Sequence, residues 1–166
     1  MKPWGKVLAV SLSFALGGCF ISETPFVTAE DAVFPFKTIS YRQPNEQAPS
    51  KLVREGDSYV ITAPDNKARV EVKFKDIGDG LYLAQMSGEE SGKVSILYSV
   101  LKVDFDKKTA ESYKAVGSDA AVTEGLRKCG DGTICIDNLD VYLDLARKSI
   151  TAGEKPDVTY EIVATE

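Results

Sequence analysis

The sequence ARVEVKFKD at residues 68–76 alternates apolar and charged side chains, and this pattern decides the fold class. Val70, Val72 and Phe74 fall on one face of an extended strand, whereas charged residues occupy the other face. A period of two with one apolar face is typical of an antiparallel sheet that packs a core on one side and meets water on the other. The stretch therefore predicts a β-rich domain.

Further strands are expected on both sides of this one. SYVITA (58–63), LYLAQM (81–86) and VSILYSVLKVDF (94–105) are apolar segments separated by turn-forming residues, among them Gly-Asp-Gly at 78–80. A polar loop is expected over 87–93. Shorter strands are expected over residues 36–41, 110–115 and 133–136, and a short helix over 119–128.

One regular helix is expected near the carboxyl end of the chain. Asp137 or Asn138 can cap it, and it should run to about Ile150. Apolar side chains at helical spacing predict a buried stripe on this helix, which we expect to cover the inward face of the strand at 68–76. The stripe consists of Leu139, Tyr142, Leu143, Ala146 and Ile150.

The chain closes with a last strand, VTYEIVA at 158–164. The predicted fold is therefore β-rich (α+β): an antiparallel curved sheet or small barrel with one C-terminal helix followed by a last strand. This order of elements resembles that of lipocalin-type barrels, although the lipocalin tryptophan motif is absent and the single tryptophan is Trp4. The analogy implies an architecture and no function.

The first nineteen residues have the organisation of a secretion signal. Lys2 and Lys6 form a positive n-region, and the uncharged stretch at 7–16 (VLAVSLSFAL) is too short to cross a bilayer as a helix. It ends in Leu-Gly-Gly-Cys at 16–19, which resembles the lipobox of bacterial lipoproteins, a Leu followed by two small residues and a Cys. The resemblance covers residues 1–19 only.

This resemblance implies lipid modification of the chain. In that family, type II signal peptidase would cut between Gly18 and Cys19, after a diacylglycerol has been attached to the Cys19 thiol, and the new amino terminus would be acylated. By analogy with enterobacteria, an Asp directly after the cysteine would favour the inner membrane. Phe20 occupies this position instead, which favours the outer membrane. The alternatives are an ordinary signal peptide, in which Cys19 is incidental, and an uncleaved membrane anchor.

Three segments are expected: a signal peptide over 1–18, a lipidated tether over 19–33 and a single β-rich domain over 34–166. Removal of 1–18, which contains two lysines and no acid, changes the formal net charge from −5 to −7. An acidic domain argues against nucleic-acid binding and against adsorption to anionic lipid. The acyl chains on Cys19 would therefore provide the membrane contact.

The remaining cysteines, Cys129 and Cys135 in CGDGTIC, predict a structural disulfide in an exported protein. A redox pair favours C-x-x-C, and a zinc site needs further ligands. The chain contains no histidine, which excludes a Ser-His-Asp triad and imidazole metal ligands. We expect no metal and no cofactor.

No motif specifies a reaction, so we expect a non-catalytic binding role at the envelope, for a protein partner or an apolar ligand. A small envelope hydrolase that uses carboxylates or a Ser-Lys pair is one alternative, and an inhibitor of a secreted or envelope hydrolase with loop 87–93 exposed is another. Asp137, Asp140 and Asp144 can share one side of the helix. We interpret them as a solvated face rather than a calcium or acid–base site.

Cys19→Ala should leave an unprocessed precursor that carries no fatty acid, because the peptidase of this family acts on the lipidated cysteine. Metabolic fatty-acid labelling and gel mobility measure both effects. Cys135→Ala is the control, since it removes a different thiol and should leave labelling unchanged. Normal processing with continued labelling of the Cys19→Ala chain would contradict the lipoprotein interpretation.

Overall fold

A computed structural model describes residues 19–62, 69–90, 92–113, 123–130 and 132–166 of the chain. Strands dominate these residues, and one helix precedes the last strand, as the sequence predicts. In chain order the elements are β1 (Cys19–Ser22), β2 (Thr38–Arg42), β3 (Ser50–Glu55), β4 (Ser58–Thr62), β5 (Arg69–Gly78), β6 (Leu81–Glu90), β7 (Lys93–Asp104), β8 (Thr109–Tyr113), β9 (Leu126–Gly130), β10 (Thr133–Ile136), α1 (Leu139–Thr151) and β11 (Val158–Thr165).

Eight strands form a closed antiparallel barrel in the order β6-β5-β4-β3-β2-β11-β8-β7. The barrel closes where β6 pairs with β7, in a register that runs from Leu81 opposite Lys102 to Glu90 opposite Lys93. Closure satisfies the backbone hydrogen bonds that the edges of an open sheet would leave free. Of the two forms that the sequence predicts, the chain therefore adopts the barrel.

Strand β7 bonds to three strands although it has only two edges. One edge pairs with β6, whereas the other pairs with β8 over residues 100–104 and with β1 over residues 96–98. Strands β1, β10 and β9 continue the sheet away from the barrel, with β1 and β10 parallel. We call these three strands the extension.

The alternating strand β5 turns its apolar face into the barrel. Val72 lies opposite Tyr59 of β4 and forms a buried cluster with it and with Leu52 of β3. Val70 and Phe74 pack against this cluster and are partly buried. The barrel thus has an inner core built from alternate residues of its strands.

Helix α1 has the predicted position and cap. The Asn138 side chain accepts a hydrogen bond from the backbone N–H of Asp140 at 3.0 Å. This satisfies one of the donors that every helix leaves free in its first turn. Tyr142, Leu143 and Ala146 of the predicted stripe are buried.

The expectation that this stripe covers the inward face of β5 is wrong. The stripe packs against residues such as Phe20, Leu83 and Val100 of β1, β6 and β7, which form a second buried cluster. The side chains of Val70, Val72 and Phe74 belong to the inner cluster instead. The side chains that the stripe covers alternate with the inward-facing side chains along β6 and β7. The helix therefore lies against the outer surface of β6, β7 and the extension.

Residues 19–33 are folded onto the domain, which corrects the expected tether. Strand β1 belongs to the sheet, and the Cys19 N–H donates to the Gly132 carbonyl at 2.9 Å. Val27 is 1% exposed and belongs to the outer cluster. The segment carries no sustained apolar period, so its contacts cannot be read from local sequence.

Two buried polar side chains hold this segment. Gln85 and Tyr98 lie opposite each other on β6 and β7, 3% and 4% exposed. The Gln85 amide accepts from the Val27 N–H at 2.8 Å and donates to the Val27 carbonyl at 3.3 Å. The Tyr98 hydroxyl accepts from the Phe26 N–H at 3.1 Å and shares a hydrogen bond with Ser22 at 2.8 Å. We call this arrangement the Gln85–Tyr98 clamp.

Two local expectations also differ from the structure. The helix expected over 119–128 is wrong where the chain is described, because Leu126–Gly130 forms β9; residues 119–122 lie outside the described residues. The loop expected over 87–93 is mostly strand, since β6 extends to Glu90 and β7 begins at Lys93. The polar sequence of these strand ends resembles a loop because the side chains on their outer faces contact water.

Leu143→Asp should destabilise the domain by about 3 kcal/mol or more, because it places a carboxylate in the outer cluster, where Leu143 is 8% exposed. That loss corresponds to a decrease in Tm of about 10 °C, measured by circular dichroism. Thr151→Asp is the matched control, since Thr151 is exposed in the last turn. An unchanged Tm for Leu143→Asp would show that the stripe does not contribute to the core.

Candidate functional site

Cys19 lies at the first position of β1, partly exposed and outside any disulfide. Its backbone pairs with Thr133 of β10. Gly18, the other residue of the predicted cleavage site, lies outside the described residues. The first residue of the expected mature chain is therefore a strand residue of the extension.

The predicted disulfide is present. Cys129 of β9 and Cys135 of β10 are joined with an S–S distance of 2.13 Å and a Cα–Cα distance of 5.8 Å. Cys135 is buried, and its backbone lies opposite Ile21 of β1. The structure thus brings Cys19 and the disulfide together in the extension. There the disulfide joins β9 to β10, the two strands farther from the barrel.

The carboxylates of α1 do not converge on a site. Asp137 accepts from the Arg127 guanidinium at 3.0 Å, and Asp144 lies 3.9 Å from Arg147. Asp137, Asp140 and Asp144 are all exposed. Within the part of the chain that the structure describes, no group of three or more His, Cys, Asp or Glu side chains could hold a metal ion.

Residues 33–36 pack across one end of the barrel. The Val33 N–H donates to the Phe74 carbonyl at 2.8 Å, and the Tyr59 hydroxyl donates to the Phe36 carbonyl at 2.6 Å. The Phe34 ring lies 5.4 Å from the ring of Tyr59. These contacts place an aromatic plug over the inner cluster.

The plug follows from unequal strand lengths. The register of β4 with β5 ends at Tyr59 opposite Val72, whereas β5 continues to Gly78. The carbonyl of Phe74 is thus free for another strand partner, and Val33 supplies the N–H. The segment 33–36 therefore fills a step at the end of the barrel wall.

At the opposite end, the described inner-face side chains are mostly apolar; residues 63–68 and 114–122, which adjoin this end, lie outside the described residues. Seven side chains on the inner faces of the strands are partly exposed there, as are Ile39, Phe74 and Leu101 toward the other end, whereas Tyr59, Val72 and Leu52 are 0%, 3% and 7% exposed. We call the seven residues the mouth: Tyr41, Ile61, Val70, Met86, Leu97, Val158 and Tyr160.

Two tyrosines supply the polar groups of the mouth. The rings of Tyr41 and Tyr160 meet edge to face, 5.7 Å apart with an interplanar angle of 80°. Burial raises the pKa of Tyr41 to about 12, against a hydrogen bond with Ser50 that lowers it. Burial also raises the pKa of Tyr160. Both hydroxyls are therefore protonated near neutral pH and can donate hydrogen bonds.

Two carboxylates stand at the rim of the mouth. Glu46 lies in the turn between β2 and β3, where its carboxylate accepts from the Gln43 N–H at 3.3 Å. Asp157 directly precedes β11, and its N–H donates to the Ser112 carbonyl at 2.8 Å. The Glu46 charge raises the pKa of both mouth tyrosines, and the Asp157 charge raises that of Tyr160. We call Glu46 and Asp157 the acidic rim.

The sequence does not predict the mouth, although it predicts the two strands that carry its tyrosines. Tyr41 and Tyr160 belong to two segments predicted as strands, but only the pairing of β2 with β11 brings them together. That pairing joins the first strand of the barrel to the last strand of the chain, and no local pattern predicts it.

Comparisons of the chain with protein-family models, with curated proteins and with solved structures find no match. In the described segments of the chain, no helix is both long enough and apolar enough to cross a membrane. The function has to be inferred from the geometry of the barrel.

Tyr41→Phe should reduce the loss of stability at alkaline pH. The folded pKa of Tyr41 lies above its ordinary value of 10.0, so its contribution is constant below pH 10 and is lost as the pH rises towards 12. Two pKa units correspond to about 2–3 kcal/mol. Urea unfolding between pH 8 and about 12 should show a shallower decline for the variant; identical declines would contradict the burial of this hydroxyl.

Proposed function

We propose that this protein is a lipid-anchored envelope protein that binds an apolar small molecule in the lumen of its barrel. The observation that carries the proposal is a closed barrel whose mouth presents apolar, partly exposed inner-face side chains around a pair of tyrosines. Concave apolar sites with a few convergent polar groups are the usual form of small-molecule sites.

The described surface favours a small molecule over a protein partner. Large apolar side chains that are exposed are distributed over the domain: Val94 belongs to the mouth end and Phe105 to the plugged end, at 67% and 47% exposed. Protein interfaces usually need a contiguous apolar patch. The tight β6–β7 hairpin also favours a binder over an inhibitor that inserts a long loop.

The anchor is part of the same proposal. Acylation of the Cys19 amino group would form an amide, which keeps an N–H that can donate to the Gly132 carbonyl. Because β1 begins at Cys19, acyl chains on this residue would hold the extension directly at the bilayer surface, without a flexible linker. We propose the outer membrane as its location, on the Phe20 analogy.

A tryptophan placed in the mouth tests lumen binding. In a Trp4→Phe background, which removes the single tryptophan of the chain, Tyr160→Trp introduces an indole beside Tyr41. We expect the uncharged apolar probe N-phenylnaphthylamine to quench this indole saturably by energy transfer. Val163→Trp is the matched control, since Val163 lies on the same strand and is 40% exposed, at the point where the register of β11 with β2 shifts.

Equal quenching of both variants, or a response proportional to probe concentration without saturation, would overturn the proposed lumen site. The Cys19→Ala experiment tests the anchor separately. Loss of either property leaves the other intact, because the mouth and Cys19 share no residue.

A further inference from the structure

The amino-terminal segment is attached to the barrel mainly through side chains. Strand β1, which pairs with β7 and β10, has four residues. Over residues 23–32, no backbone–backbone hydrogen bond joins the segment to the described strands. Its hydrogen bonds to the barrel there are made by side chains of the wall, namely the Gln85–Tyr98 clamp and the Lys75 ammonium, which donates to Asp31 at 3.1 Å.

The surface beneath this segment contains polar groups that water can satisfy. Gln85 and Tyr98 are 3% and 4% exposed, and both bond to backbone groups of the segment. If the segment leaves, water replaces these hydrogen bonds, so uncovering them costs less than uncovering apolar groups of the same area. The buried apolar side chains of the segment are Phe20 and Val27, 3% and 1% exposed. The segment is therefore held by two apolar anchors and by replaceable polar contacts.

Tyr142 of α1 provides an independent observation beneath β1. Its ring contacts the Phe20 ring with 5.0 Å between the centroids, and the residue is 0% exposed. The Tyr142 hydroxyl has no hydrogen-bond partner among the described residues. A buried hydroxyl without a partner costs free energy, and the cost disappears when water reaches the group. Because Phe20 packs on this ring, the docked position of β1 carries a penalty that a detached position would not.

The rest of the domain keeps its own contacts when β1 leaves. The Val33 N–H donates to the Phe74 carbonyl at 2.8 Å and holds the plug at the barrel end. The disulfide joins β9 to β10, and Leu126 and Ile136 of these strands belong to the outer cluster with α1. The boundary of the movable part therefore lies just before Val33.

We propose that residues 19–32 form a strap that detaches from the barrel as one unit while the barrel and α1 stay folded. The structure holds the strap docked; detached, it would span up to about 45 Å of extended chain. If acyl chains hold Cys19 in the bilayer, the barrel would exchange between a position at the membrane surface and one farther out. This consequence rests on the proposed anchor, whereas the detachment rests neither on the anchor nor on lumen binding.

Two buried valines, converted to cysteine, distinguish detachment from unfolding of the barrel. The full chain carries Cys19→Ala, which removes the free thiol. Val27→Cys then places a thiol between the strap and the wall, and Val72→Cys places one in the inner cluster, at positions that are 1% and 3% exposed. Labelling with N-ethylmaleimide under native conditions is followed by mass spectrometry. We expect Val27→Cys to react at least about ten-fold faster, because local detachment needs less free energy than unfolding. Equal rates would overturn the proposal.

Tyr142→Phe should slow the labelling of Val27→Cys about five-fold, because it removes the penalty of the docked strap. A change beneath Phe20 affects Val27 in this way only if the strap moves as one unit. Tyr113→Phe is the matched control, since Tyr113 is also buried but its hydroxyl donates to Glu111 at 2.9 Å. It should leave the rate unchanged. No effect of Tyr142→Phe, or an equal effect of the control, would show that the strap does not detach as a unit.

Hydrogen exchange makes the same comparison without a reporter cysteine. The N–H of Phe20 lies in β1, and the N–H of Val27 donates to Gln85 at 2.8 Å. Both should have the same protection factor, lower than that of the Val72 N–H in the barrel, and Tyr142→Phe should raise both by the same factor. Protection of Phe20 and Val27 equal to that of Val72, or unequal between the two, would overturn the strap.

Discussion

The sharing of one edge of β7 between two partners is the constraint on which the rest of the structure depends. Over residues 100–104 this edge belongs to β8 and completes the barrel; over residues 96–98 it belongs to β1 and begins the extension. The other edge pairs with β6 over residues 93–102. A strand of 12 residues can serve both purposes because each partner needs only part of its length. The same branch creates two cores, one inside the barrel and one outside it.

The outer core stabilises the barrel from the outside. Leu83 and Val100 are both 0% exposed on the outer surface of the barrel, under α1 and the segment held by the Gln85–Tyr98 clamp. Burial of this surface stabilises the domain independently of the lumen, at about 25 cal/mol per Å² of apolar area. The inner cluster of Leu52, Tyr59 and Val72 is continuous with the mouth, since Tyr41, Ile61, Val70 and Met86 pack against it. A ligand at the mouth would therefore contact the inner core directly.

Sequence patterns predicted those elements whose signal is local. The period of two in β5 and the cap and stripe of α1 each depend on neighbouring residues, and the structure has them. β6 and β7 are apolar on both faces because both faces are covered. Their periodicity therefore does not show which face lines the lumen. For this reason the sequence places α1 on the inner face of the sheet, whereas it packs on the outer face. The clamp depends on Gln85 and Val27, which are 58 positions apart, and the mouth depends on the pairing of β2 with β11. The lipobox remains a prediction, because it lies in residues 1–19 and describes processing rather than folding.

The folded amino-terminal segment connects the proposed anchor to the proposed ligand. Strand β1 runs from Cys19 towards the mouth end of the barrel, and Ile21 lies opposite Leu97, one of the mouth residues. Two residues of extended strand separate Ile21 from Cys19, a distance of about 7 Å. Acyl chains on Cys19 would therefore attach to a strand packed on the barrel wall and hold the domain close to the bilayer, which is where apolar molecules accumulate. A long tether would have let the domain move away from the bilayer; a strand keeps it there, so the membrane would serve both as the support of the domain and as the reservoir of its ligand.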